Sequence, residues 1–175
     1  SDMGVASGQM LLVDHDQYDF EFNGITAGAC YSRHVRFDLK LLVTTLAGIG
    51  RRINEILPLF LNFPCGQVLS WQFEIEGRRI LFFGSGGSTR KELERLAARP
   101  VDILLVPLQG HSNICQKALD YVKILQPKIV IPHHQDNFFP PVSKTVDITF
   151  FVEQADRACP GTRVKVMKVN EILYI

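Results

Sequence analysis

Three short apolar runs punctuate the second half of the chain: Arg79–Phe83, Val101–Val106 and Lys128–Ile131. Each is followed by a loop of small or polar residues, Gly84–Ser88, Gln109–Ser112 and Pro132–Asp136. Helical patterns of ordinary length lie between them. Strand, helix, strand, helix, strand predicts parallel pairing, because a parallel connection needs a crossover of this size. In open α/β sheets, ligands bind outside the carboxyl ends of the strands. All three loops stand at such ends, so that edge is where chemistry is expected.

Upstream the pattern changes. Residues 9–13 read as a strand, and Tyr18–Phe22 alternates with period two. Asn23-Gly24 is a strong hairpin signal, with Ile25–Tyr31 as the return strand. From Leu39 to about Leu61 the apolar spacing is helical, weakened by Gly48, Gly50 and Pro58. This helix reads as core-covering, with a lid or partner surface as the alternative. Residues 67–76 alternate again and turn at Glu76-Gly77 into the strand at Ile80. Thr89 with Glu92 has capping-box spacing and starts a helix to about Arg99. Asn113 with Gln116 would cap the next, which carries Ala118, Leu119, Val122 and Leu125 on one face and stops before Pro127. A last helix is expected over 145–158. The stretches 163–169 and 172–175 then read as a strand pair around Asn170-Glu171.

Composition narrows the class. The chain has 175 residues, 46% of them hydrophobic, which supports one globular domain rather than disorder. A net charge of +1 gives no electrostatic footprint for nucleic acid or a membrane surface. Cys30, Cys65, Cys115 and Cys159 have no metal-finger spacing and fit reduced thiols, so a cytoplasmic location is expected. No secretory signal pattern opens the sequence, and no apolar run is long enough to span a membrane.

His34, His111, His133 and His134 each follow a predicted strand. A loop histidine by itself is an ordinary surface or capping residue. Four at the ends of neighbouring strands converge in space, and imidazole serves both as metal ligand and as general base. Gly84-Ser85-Gly86-Gly87 reads either as a backbone anion cradle or as a tight turn. It is neither a phosphate-binding Walker loop nor a dinucleotide fingerprint. Nor does Phe83-Gly84-Ser85-Gly86-Gly87 meet the nucleophile-elbow spacing. His15, between Asp14 and Asp16, reads as a solvated turn.

Gly77–Gly87 resembles the metallo-β-lactamase superfamily, in particular its lactonase-like branch, where the corresponding strand ends in Gly-Asp-Thr-Gly. Ile129–His134 is similar to that family's Ile-Pro-x-His, and Tyr31–His34 to the segment carrying another metal-binding histidine. The resemblance implies an α/β fold, the second half of an αββα sandwich with a mixed sheet and flanking helices. It also implies metal-dependent hydrolysis of a phosphate ester or lactone. His34 and His134 take the positions of metal ligands for a divalent ion, zinc or manganese. Ser85, Gly86, His111 and His133 are the ligand-binding candidates for a small anionic substrate. Two departures stand out: Ser85 occupies the place of a bridging aspartate, and the His-x-His-x-Asp-His motif is missing. A degenerate metal site, or a non-catalytic binding module, is the expectation that follows. A single domain incomplete in its N-terminal half would bare one sheet face, so a homo-oligomer or a partner chain is expected to cover it.

Overall fold

The computed structural model describes residue 13, residues 18–54, 58, 62, 67–140 and 142–175. Seven strands form one sheet in sequential order. They are β1 (Tyr18–Phe22), β2 (Ile25–Ser32), β3 (Val68–Ile75), β4 (Arg78–Phe83), β5 (Ile103–Pro107), β6 (Ile129–His133) and β7 (Arg163–Val164). The first four pair antiparallel and β4 through β7 pair parallel, so the sheet is mixed as expected. Asn23 and Gly24 both take positive φ, 48° and 77°, which matches the twist of the β1–β2 hairpin. Glu76 and Gly77 repeat that geometry between β3 and β4.

Among the described residues, the helices that complete the frame are α1 (Leu39–Ile49), α2 (Arg90–Leu96), α3 (Ile114–Leu125) and α4 (Thr149–Ala158). The capping box at Thr89 and Glu92 is present, each side chain bonded to the other's backbone N–H. Helix α3 turns Ala118, Leu119, Val122 and Leu125 inward against Leu81, Phe83, Leu104, Val106 and Val130. Alternate strand residues point the other way. That opposite face carries Trp71, Phe73, Ile80, Phe82, Leu105 and Ile131, all half-buried and none part of the helix-backed core.

Several expectations need correction. The helix predicted from Leu39 to Leu61 is broken: α1 stops at Ile49, where Gly50 takes φ 46°, and a 3₁₀ turn spans Gly50–Arg52. Asn113 does not cap α3 with its side chain; its own N–H instead donates to Nδ1 of His111 at 2.9 Å. Helix α2 ends three residues early, at Leu96, and α4 begins at Thr149 rather than Thr145. The C-terminal strand pair does not form. Only Arg163–Val164 joins the sheet, beside β6, while Lys168 and Glu171 close a local polar turn. Of the strand expected over 9–13 only residue 13 is described, outside any strand, and the turn at His15 lies outside the described residues.

Arg79 holds the far edge together. It is buried, yet its guanidinium donates to the Leu96 and Arg99 carbonyls at 2.8 and 2.7 Å and to Oε1 of Gln72 at 2.9 and 2.6 Å. The C-terminal end of α2 is thereby tied to β3 and β4. Among the described residues, Cys115 and Cys159 are free thiols. No described helix is long and apolar enough to cross a membrane.

Candidate anion-binding cleft

The residues after β2 form the spine of the site. Segment 33–38 runs across the carboxyl ends of β4 and β5, wedged between the Gly84–Thr89 loop and the Gln109–Ser112 loop. Ser85, buried, accepts the Val35 N–H on its Oγ at 2.9 Å. Ser32 and Ser88 bond through their hydroxyls at 3.0 Å. A Cβ on Gly87 would strike the Arg33 carbonyl oxygen and come within 2.5 Å of the His34 carbonyl oxygen. On the other side, Gly110 has φ 93°, and a Cβ there would lie 2.6 Å from Val35 Cγ1. The glycines are therefore explained by close backbone approach. Ser88 gives its N–H to the Tyr121 hydroxyl at 2.8 Å, and Thr89 gives its N–H to Glu92. Much of the loop that could have cradled an anion is thus committed to packing.

What remains open beside this seam is a cleft of about 310 Å³. Arg33, His34, Arg36, His111 and Lys117 line it, with Gly86–Thr89 as its floor. Among the described residues, no carboxylate lines it. Asp38 stands nearby, its Oδ2 3.7 Å from His111 Nδ1. Its carboxyl is already engaged, accepting from the Ser112 hydroxyl and from the Leu41 N–H at 2.9 Å. The Ser112 hydroxyl first, and then the Leu41 amide, hold Asp38 below the usual carboxylate value. It stays ionised and caps α1. With three fixed cations and two imidazoles around it, the cleft favours anions.

The expected site residues divide between places. His34, His111, Ser85 and Gly86 meet at this seam, Ser85 as a buried strut and the others as lining. His133 and His134 belong elsewhere. His133 Nε2 donates to the Phe83 carbonyl at 3.1 Å, and its ring stacks on Phe82 at 5.1 Å, on the sheet face opposite the helices. Burial lowers its pKa, with the neighbouring His134 adding to the effect against the Phe83 hydrogen bond. His134 takes φ 60°, its ring 4.4 Å from that of Phe138 and its Nδ1 4.0 Å from Asp136. Among the described residues, no group of three or more His, Cys, Asp or Glu side chains could hold a metal ion. The donor set present does not fit a catalytic metal, which ordinarily has three protein ligands. Arg33, Arg36 and Lys117 were not singled out in the sequence. The signal was there in two arginines just past a strand end, but Lys117 comes from a helix face and had none.

The half-buried His133, its pKa lowered, sets a pH expectation. A histidine whose folded pKa is depressed leaves stability intact above its unfolded value of about 6.5, and stability declines as pH falls below it. Urea unfolding at pH 7.5 and pH 5.5 should show a lower midpoint at the acid value. His133→Phe, which keeps the stack on Phe82, should shrink that difference; an unchanged difference would discard the assignment.

A mixed sheet of this order backed by helices, with loops gathered at the carboxyl ends of its parallel strands, defines an α/β protein. Residues 58–134 match the β-lactamase superfamily domain. Solved structures share the fold. A metallo hydrolase from the hyperthermophilic archaeon Ignicoccus hospitalis matches with a TM-score of 0.58 and 17% identity, over 91% of this chain and 58% of that one. An isothiocyanate hydrolase from Delia radicum gut bacteria matches with a TM-score of 0.59 and 11% identity, over 95% of this chain and 59% of that one. A metallo-β-lactamase-fold protein from Bacillus subtilis matches at 0.56 and 10% identity, over 90% of this chain and 52% of that one. The chain therefore spans little more than half the length of these structures. No curated protein matches the sequence. The sequence match covers less than half of the chain, and the solved structures show that the chain has the metallo-β-lactamase fold.

Proposed function

We propose that this metallo-β-lactamase-fold, hydrolase-like protein binds a small phosphate-bearing anion in the cleft between Arg33, Arg36 and Lys117. The observation that carries the reading is the lining itself: three cations and two histidines and, among the described residues, no carboxylate, at the carboxyl ends of β4 and β5. A phosphate ester suits it better than a lactone, since a lactone carries no charge to reward such a lining. Arginine offers planar paired donors to phosphate oxygens, and lysine a point charge. Ser85 supports binding rather than metal chemistry, because its hydroxyl serves the Val35 amide and supplies no negative charge to a cation.

Calorimetric titration with inorganic phosphate tests the reading. Binding should weaken with salt, and Lys117→Ala should raise Kd roughly tenfold, the scale of one charged hydrogen bond. No heat of binding at low ionic strength would end it. Hydrolysis is the second reading, kept by His34 and His111 lining one cleft. It requires metal ligands from beyond the described residues. Metal analysis of protein purified without chelator separates the two: zinc or manganese at one equivalent, lost in His34→Ala and His134→Ala, supports the hydrolase. Phosphate binding by metal-free protein supports the non-catalytic module.

We propose that a second copy of the chain packs on the sheet face opposite the helices. Trp71, Phe73 and Phe82 form an aromatic surface there, and Leu42, Val43 and Leu46 leave an apolar strip exposed on α1. Sedimentation should report a dimer at micromolar concentration that Trp71→Lys converts to monomer. A monomeric wild-type protein would rule out this partner.

A further inference from the structure

A second cavity of about 290 Å³ lies beside the cleft, on the other side of His111, which lines both. Its walls are mainly apolar: Phe37, Leu41, Ile114, Phe138, Val142 and Val146. The extended segment after β2 divides its side chains between the two spaces. Arg36 lines the cationic cleft and Phe37, its neighbour, lines the apolar chamber. Such a division follows from alternation along an extended backbone.

The chamber is a built structure. Its outer wall, residues 135–140 and 142–147, is stapled to the end of β5 by Gln109, whose Nε2 donates to the Asp136 and Lys144 carbonyls at 3.2 and 3.0 Å. Within that wall, buried Ser143 accepts the Phe139 N–H at 2.6 Å and donates to Asn137 Oδ1 at 2.9 Å. The Val146 N–H bonds the Gln135 carbonyl at 2.8 Å, closing the base of the excursion. The inner wall is α1, whose N-terminus Asp38 fixes against Ser112. The apolar space is therefore held open by polar bonds at its rim. That is the arrangement of a small-molecule site, predominantly apolar with a few placed polar groups.

We infer that the two cavities form one site for an amphiphilic anion, an alkyl or aryl phosphate whose head lies in the cleft and whose hydrocarbon body enters the chamber past His111. This inference rests on the phosphate reading and specifies its ligand class. A cationic cleft alone would take any small phosphate. Its junction with a chamber of comparable size adds selection for the body that the phosphate carries, because each methylene moved from water into an apolar space strengthens binding about fourfold.

Titration with inorganic phosphate and with methyl, ethyl, butyl and hexyl phosphate tests it. Affinity should climb about fourfold per methylene over the early members, and level off once the chamber is full. Val146→Phe, which reduces the chamber, should flatten the climb, and inorganic phosphate titrated into the same variant shows whether the cleft is intact. If inorganic phosphate binds and the alkyl chain adds nothing, the inference is overturned and the phosphate reading stands. If neither inorganic phosphate nor any ester binds, both are overturned.

Discussion

Replacing Gly87 with alanine should lower the unfolding free energy by roughly 3 kcal/mol, at the upper end of overpacking costs, and should abolish phosphate binding. The reason is geometric. The added methyl would meet the Arg33 and His34 carbonyl oxygens, which are backbone atoms and cannot rotate aside. Relief requires segment 33–38 to lift off the loop. That movement breaks the Val35–Ser85 bond and carries Arg33 and Arg36 away from Lys117. Urea denaturation gives the stability change, and amide exchange at Val35 reports the local one. Gly161→Ala is the control, since a Cβ there meets nothing within 4 Å. Should G87A unfold at the wild-type midpoint with Val35 still protected, the seam is not what holds the cleft.

Arg79→Met should cost about 3 kcal/mol, or roughly 6–12 °C in Tm for a chain of this size. Methionine keeps much of the stem, so packing changes little. It leaves the Leu96 and Arg99 carbonyls and the Gln72 amide oxygen without the donor they share. The charged hydrogen bonds are lost where water cannot readily replace them. Arg90→Ala makes the comparison: Arg90 pairs with Glu94 at 2.7 Å on an exposed helix face and should change stability by less than about 0.5 kcal/mol. Differential scanning calorimetry on both variants reads the difference. Equal, small shifts would show Arg79 to be a surface-like residue despite its burial.

The two predictions lie at opposite edges of the sheet. Arg79 and Asp102 secure the amino ends of the parallel strands, where the Arg79 N–H donates to the Asp102 carboxylate at 2.8 Å and Lys128 pairs with it at 2.7 Å. The Lys128 contact first, and then the Arg79 amide, hold the Asp102 carboxyl below its ordinary value. This edge is structural. The edge with Gly87 keeps cations that no described carboxylate neutralises within the cleft, and that imbalance is what the proposed phosphate site rests on.

Periodicity alone was enough to read the hairpin at Asn23-Gly24, the three parallel strands and the inward face of α3. Those features depend on local conformational preference and on burial of one face, and both leave a repeat in the sequence. The motif resemblance added the metallo-β-lactamase fold. Local pattern failed where a tertiary contact outweighed it. Thr89 and Glu92 cap α2 as the spacing suggests, but Asn113 gives up its capping role because His111 Nδ1 is within reach of its amide. The helix after Asp38 was over-extended because apolar spacing continues through Gly50, where the backbone departs from helical φ.

For the site, the sequence by itself determined which loops stand at the carboxyl ends of β4, β5 and β6, since strand order and crossovers follow from the alternation of runs and helices. It also placed histidines and small residues there. Only the tertiary structure decided what those residues do. It turned Ser85 into a strut for Val35, sent His133 to the opposite face, and brought Arg33, Arg36 and Lys117 together around His34 and His111. The physical reason is that a side chain's role depends on which atoms lie within hydrogen-bond or charge range. Residues 33, 86, 111 and 117 come within that range only when the sheet is assembled.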